Sequence, residues 1–274
     1  MPWAYASRNA LKTRLGETLT DNDAIYKAVL EAVSESIDSD PDISRTFRIY
    51  LATRYLSAVR TDKLLLDADL LAVTTLKTDE DGDRTYEKTW ATTDYDLMPF
   101  NAAADRNPYW KIAQTPEGDY SFPVIQKGVE IVGKWGWWED LLTAASILTA
   151  AINSTTTTIP VTAGTDFEVL QTLKCDDEAM YITAISSNNL TVERAVNGTT
   201  AASHLINAVT KIYRYPSPVI EATLIQAASI FKRKEAPFGV IGGSDLAVPR
   251  NIPALDPDVK RLLRPYMQAV MVGG

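Results

Sequence analysis

LLLDADLLAVTTLKTDEDGD, residues 64–83, decides how the chain is built. A run of Leu, Val and Thr ends in a cluster of Asp and Gly, which is the chemistry of a strand entering a turn. The next stretch, TYEKTWATTDYDLMP (85–99), carries Tyr86, Trp90, Tyr95 and Leu97 as candidate inward positions. YWKIAQ and GVEIVGKWGWW add further strands, so the signal from Leu64 to Trp138 is mostly β. Residues 139–149 read as a short connection. A second β series follows: TTIPVT, LQTLKC, AMYITAIS, LTVERAV and AVTKIYR, each about a strand long. With Ser187-Asn188-Asn189 as turn chemistry between two of them, this series suggests a small barrel or sandwich.

Outward from these β series the pattern changes. TDNDAIYKAVLEAVSESI (20–37) puts Ile25, Val29, Ala32, Val33 and Ile37 on one helical stripe, with Thr20 or Asp21 as a cap. Pro41 stops that helix, and RTFRIYLATRYL (45–56) reads as an extended arm. At the other end, Ser217-Pro218 opens a helix running to about Lys234, whose basic end, Lys232-Arg233-Lys234, suits the negative pole of its dipole. Its apolar residues cover most of the circumference, which predicts burial on more than one side. Residues 236–255 are a Gly/Pro-rich loop. Asp256-Pro257 then caps a short helix with Val259, Leu262 and Leu263 on one side. The sequence therefore predicts an α+β protein in which helical N- and C-terminal segments (1–63 and 215–274) enclose two antiparallel β modules, 64–140 and 144–214.

Composition narrows the chemistry. The 274 residues are 46% apolar and carry a formal charge of −8, a balance that argues against gripping nucleic acid through phosphate neutralisation. No stretch approaches the ~18 apolar residues of a membrane span, and the N-terminus lacks the pattern of an export signal. One cysteine, Cys175, rules out an intrachain disulfide and suits a reducing compartment. One histidine, His204, and that one cysteine are too few for an ordinary zinc or iron centre. His204 has no GxSxG partner, and the adjacent Ser203 offers poor geometry for a triad. There is no glycine-rich phosphate loop.

The remaining motifs have bland readings beside functional ones. Asp79, Asp81 and Asp83 around Gly82 form a turn with at most weak divalent binding, since the EF-hand pattern is not met. Asp176-Asp177-Glu178 reads as another turn. Trp135, Trp137 and Trp138 alternate with glycines as core or inter-subunit residues, with a stacking platform for sugars as the alternative. Asp94 and Asp96 share a strand face and would be the acid pair of a hydrolase, but no other part of such a site is visible. In LTVERAVNGTTAASH (190–204), Asn197, Gly198 and Thr199 supply turn chemistry, and His204 pins the turn by a hydrogen bond across it.

The order of these segments resembles the head-to-tail connector (adaptor) family of tailed bacteriophages. It does so through AVSESID, RTFRIYLATRYL, LLLDADLLAVTTLKTDEDGD, DYDLMPFNA and GVEIVGKWGWW, then SPVIEATLIQAASIFKRKEAPFGVIG and LDPDVKRLLRPY. Residues 156–214 are similar to a small β module that recurs among phage adaptor and tail proteins. That module usually has Arg-Gly where this chain has Arg194-Ala195, which puts the local backbone in question, because alanine resists positive φ. The resemblance implies a non-enzymatic virion protein without cofactor. It would be made in the host cytoplasm and placed at the neck as a twelvefold ring of itself between the portal and a tail, stopper or tail-terminator protein. Its ring wall would be helical and DNA would pass through without sequence-specific binding. The implied portal-binding residues are Pro265, Tyr266, Met267, Val270, Met271 and Val272. The alternative function is a glycan-binding β-rich module of a tail or host-recognition protein.

Overall fold

The computed structural model describes residues 2–233 and 255–267. Four α-helices and twelve strands run through them: α1 (Arg8–Leu15), α2 (Asp23–Ser39), β1 (Tyr50–Leu56), β2 (Lys63–Thr78), β3 (Lys88–Thr89), β4 (Tyr95–Met98), β5 (Tyr109–Gln114), β6 (Val129–Trp135), β7 (Asp140–Ile147), β8 (Thr158–Pro160), β9 (Thr172–Cys175), β10 (Glu178–Ser186), β11 (Asn189–Glu193), β12 (Val209–Arg214), α3 (Ser217–Arg233) and α4 (Pro257–Leu263). The architecture overturns the expected helical connector core with inserted β modules. Two six-stranded antiparallel sheets dominate, and the helices are few. The physical reason lies in two segments. RTFRIYLATRYL is not a free arm, because its second half becomes β1 and pairs along its whole length with β6. Residues 139–149 are not a connection, because β7 forms there and pairs with β12.

The chain divides into two compact units: Met1–Ser44, Asp140–Val196 and Thr200–Gly274 form the first, Arg45–Glu139 with Asn197–Thr199 the second. The second unit holds the sheet β1-β6-β2-β5-β4, with β3 beside β2. The 16-residue β2 is its spine, and its Leu64, Leu70 and Leu76 lie in a core with Ile112, Phe122, Ile131 and Trp135. Burial alternates strictly along β6, as a strand with one face on a core requires.

In the first unit the path β7-β12-β9-β10-β11-β8 returns on itself, because the Leu148–Val161 bridge joins the segments flanking β7 and β8. The sheet thus curls into a small barrel filled by Ile159, Phe167, Leu173, Met180, Ile182 and Leu190. The helices of this unit pack on one another, α3 touching α1, α2 and α4. α2 starts from Asn22 rather than from Thr20 or Asp21, and its buried stripe runs through Tyr26, Leu30, Val33, Ser34 and Ile37. α3 buries eight residues from Val219 to Phe231, among them the polar Thr223 and Gln226, in keeping with contacts on several sides. The Asp256 carboxylate caps α4 by accepting from the Asp258 N–H at 2.9 Å. The Tyr181 hydroxyl of the barrel donates to Glu31 of α2 at 3.0 Å, so helices and barrel share one unit.

Candidate functional site

β9 and β10 form a hairpin whose connection is Asp176 and Asp177, with Cys175 and Glu178 facing each other in register. Asp176 has φ 50°, a conformation aspartate tolerates better than most residues. The tight turn leaves Glu178 as the first residue of β10, where the strand is buried, and its side chain is 0% exposed. A carboxylate so deep needs donors. Arg194, which follows β11, supplies two, Nε to Oε1 at 2.6 Å and Nη2 to Oε2 at 2.6 Å. The backbone N–H groups of Ala195 (3.1 Å) and Ala202 (2.9 Å) add two more. Arg194 is itself satisfied by carbonyls, donating to Asn153 at 2.9 Å, Thr156 at 2.8 Å and Ala202 at 2.6 Å.

His204 completes the cluster. Its backbone pairs with Ile152 in both directions, N–H to O at 2.9 and 3.0 Å, which fixes the ring over the hairpin. Nδ1 lies 2.7 Å from Asp176 Oδ2, and Nε2 lies 3.0 Å from Glu178 Oε2. Both ring nitrogens therefore face carboxylates, and neither is directed at a serine. Burial alone would raise the Glu178 pKa. Arg194, the Ala202 N–H, His204 and the Ala195 N–H overcome it and hold the carboxyl at about 2. Cys175 responds the other way: burial, reinforced by the negative charges of Asp176 and Glu178, pushes its thiol up to about 12. Cys175, Asp176 and His204 present three ligand atoms all within 4.8 Å of one another.

The sequence predicts that His204 pins the Asn197-Gly198-Thr199 turn, whereas its ring nitrogens reach Asp176 and Glu178 at the β9–β10 hairpin. Asp176-Asp177-Glu178 reads as a turn, yet its third residue enters a strand. The legible signal was that the last acid of Asp176-Asp177-Glu178 stands directly at the head of the apolar run AMYITAIS, a position that needs a counter-charge. The positive φ that glycine would take after Arg194 is present here in alanine, Ala195 at 54°. Asn197 (φ 57°) and Gly198 (φ 75°) are both left-handed, as turn chemistry predicts, and fall in the second unit, where Arg48 donates to Asn197 Oδ1 at 3.3 Å.

The other candidates lie apart from this cluster. Asp79 is buried and spends its oxygens on the loop N–H groups of Gly82 (2.7 Å) and Arg84 (2.9 Å). Asp94 accepts from the Ala91 N–H at 2.7 Å, a turn contact with no catalytic partner in it. Trp135 is fully buried and donates to the Ala52 carbonyl, while the Arg45 guanidinium lies over the Trp137 ring at 4.7 Å. Pro265 and Tyr266 sit in a 3-10 turn that follows α4, and Met267 is half-buried at its end. Val270, Met271 and Val272 lie outside the described residues, as does Lys234. Among the described residues no helix is long and apolar enough to cross a membrane.

No family model matches the chain, and no curated protein does. One solved structure is similar over 98% of this chain and 93% of its own, at 14% identity and a TM-score of 0.43: "Neck of empty GTA particle computed with C6 symmetry".

Proposed function

We propose that this chain is a structural virion protein of a tailed phage, a ring subunit between portal and tail that couples the two and lines the DNA exit channel. The observation that carries the reading is the ordered set of connector-like segments, each of which occupies its own element. AVSESID closes α2, LLLDADLLAVTTLKTDEDGD forms β2 and its turn, GVEIVGKWGWW contains β6, SPVIEATLIQAASIFKR is α3, and LDPDVKRLLRPY holds α4 and the turn after it. Two further features support it. Large apolar side chains are exposed on both units, Leu51, Tyr55 and Val59 on one and Leu205, Ile206 and Val209 on the other, the kind of surface that subunit contacts cover. The charge of −8 per subunit suits a channel that lets DNA slide instead of binding it. The glycan-binding alternative loses its main support, because Trp135 is core and Trp137 is covered by Arg45.

The ring is twelvefold in this proposal, and residues 265–272 dock on the portal. The test mixes the full chain with portal rings and images the product. Seated rings support the proposal, and chains that remain separate overturn it. A chain truncated after Arg264 should keep its thermal transition and lose docking; undiminished docking would remove the role of the C-terminal residues.

A further inference from the structure

We propose that Cys175, Asp176 and His204 form a divalent transition-metal site best suited to Zn²⁺, with His204 coordinating through Nδ1 and Glu178 holding its Nε2–H from behind. The inference stands apart from the assembly role. A chain with one cysteine and one histidine in 274 residues has little chance of juxtaposing them, yet the hairpin and the Ile152–His204 bridge bring both to one point beside an aspartate. In tetrahedral zinc, with Zn–S near 2.3 Å and Zn–N and Zn–O near 2.0 Å, neighbouring ligand atoms stand about 3.3–3.6 Å apart. The three atoms here lie within 4.8 Å of one another, and Nδ1 and Oδ2, at 2.7 Å, need only open slightly to admit an ion.

The donor set also chooses among ions. Thiolate and imidazole with a single carboxylate suit zinc and its neighbours over Mg²⁺ or Ca²⁺, which take oxygen ligands. A thiolate and a carboxylate balance the charge of a dication, and the thiol proton leaves to solvent on binding. Glu178 is the independent support. Histidine ligands regularly donate their second ring N–H to a carboxylate, and Glu178 Oε2 is already placed for that bond at 3.0 Å. Arg194 and two backbone N–H groups keep this carboxylate fixed, so it orients the ring and is not itself free to coordinate. Access comes from the Asp176 side, where the side chain is 65% exposed while His204 is 1% exposed. A water on that side would fill the fourth position.

The experiment titrates the metal-free full chain with Co²⁺ and then Zn²⁺. The expected result is one Co²⁺ per chain, with a thiolate-to-cobalt charge-transfer band and the intense d–d absorption of tetrahedral cobalt, both abolished by Zn²⁺. Cys175→Ser should remove the charge-transfer band. Asp176→Asn, which keeps the shape of an exposed turn side chain, should weaken Zn²⁺ binding at least tenfold while the chain keeps its thermal transition. A wild-type chain that binds no Co²⁺ overturns the proposal. So does Asp176→Asn with wild-type affinity, or a spectrum unchanged in a folded Cys175→Ser chain.

Discussion

Replacing Glu178 by Gln keeps the shape of the side chain and removes its charge, which isolates what the carboxylate does. In the native protein it accepts from Arg194 twice, from two backbone N–H groups and from His204, with its side chain 0% exposed and that of Arg194 7% exposed. The amide turns an NH₂ group toward at least one of these donors and leaves Arg194 without its counter-ion. Breaking a buried pair this way costs about 3–5 kcal/mol. The three carbonyls that Arg194 also reaches place the cost at the low end, about 3 kcal/mol. For a unit of this size that lowers Tm by roughly 6–12 °C.

The pH dependence gives a second, independent reading. The Glu178 pKa is depressed from 4.5 to about 2, so its stabilising contribution is complete above the unfolded value and is lost as pH falls through the folded one. That contribution is about 3 kcal/mol at most, and about 2 once screening by solvent is allowed. Chemical denaturation of both proteins at steps from pH 6 to pH 2 should show the gap in stability between wild type and Glu178→Gln closing between pH 4.5 and 2. A loss below about 1 kcal/mol at pH 6, or a gap that does not move with pH, would refute the assignment of Glu178 as the ionised centre of the cluster.

Ala195→Gly should stabilise the first unit by about 0.5–1 kcal/mol, since the left-handed backbone at φ 54° strains alanine more than glycine's extra unfolded freedom costs; an unchanged or lower Tm would count against strain there. Gly198→Ala should destabilise by at least ~2 kcal/mol, because a Cβ would stand 2.1 Å from the Leu51 carbonyl oxygen at φ +75°. Hydrogen exchange along β1 should accelerate in that variant, and wild-type protection there would contradict the close approach. Tyr181→Phe should cost about 1 kcal/mol through loss of the 3.0 Å bond to Glu31, read from denaturant midpoints at constant m.

The strands and helices that follow simple periodicity were legible. α2, α3 and α4 fall within a few residues of their expected bounds, and YWKIAQ, AMYITAIS and AVTKIYR lie on β5, β10 and β12. The balance between helix and sheet was not legible, and two causes can be named. In β7, DLLTAASI, the pair Ala144-Ala145 and the following Ser weaken the alternation that marks a strand, so only its pairing with β12 reveals it. β1 shows a clean alternation, but alternation alone cannot separate a free arm from a sheet edge, and the partner, β6, lies more than seventy residues on in the chain.

The cluster around Glu178 shows a different limit. Counting residues bounds chemistry only when ligands must be numerous, and one cysteine with one histidine falls below that bound for a site built from Cys and His alone. Register is what the count leaves out. A turn of only two residues obliges Cys175 and Glu178 to face each other, and β12 lies along β9 so that Thr210 also opposes Cys175. The chain between Thr210 and the Ile152 bridge then has little freedom, and His204 must come to rest near the mouth of that hairpin. Once there, its ring is flanked by the residues on either side of Asp177, which are both acids. Hairpin length, strand order and a single bridge therefore assemble a histidine, a thiol and two carboxylates that no spacing in LTVERAVNGTTAASH could have announced, and the same three constraints make Asp176, the one exposed member, the point where chemistry at this site meets solvent.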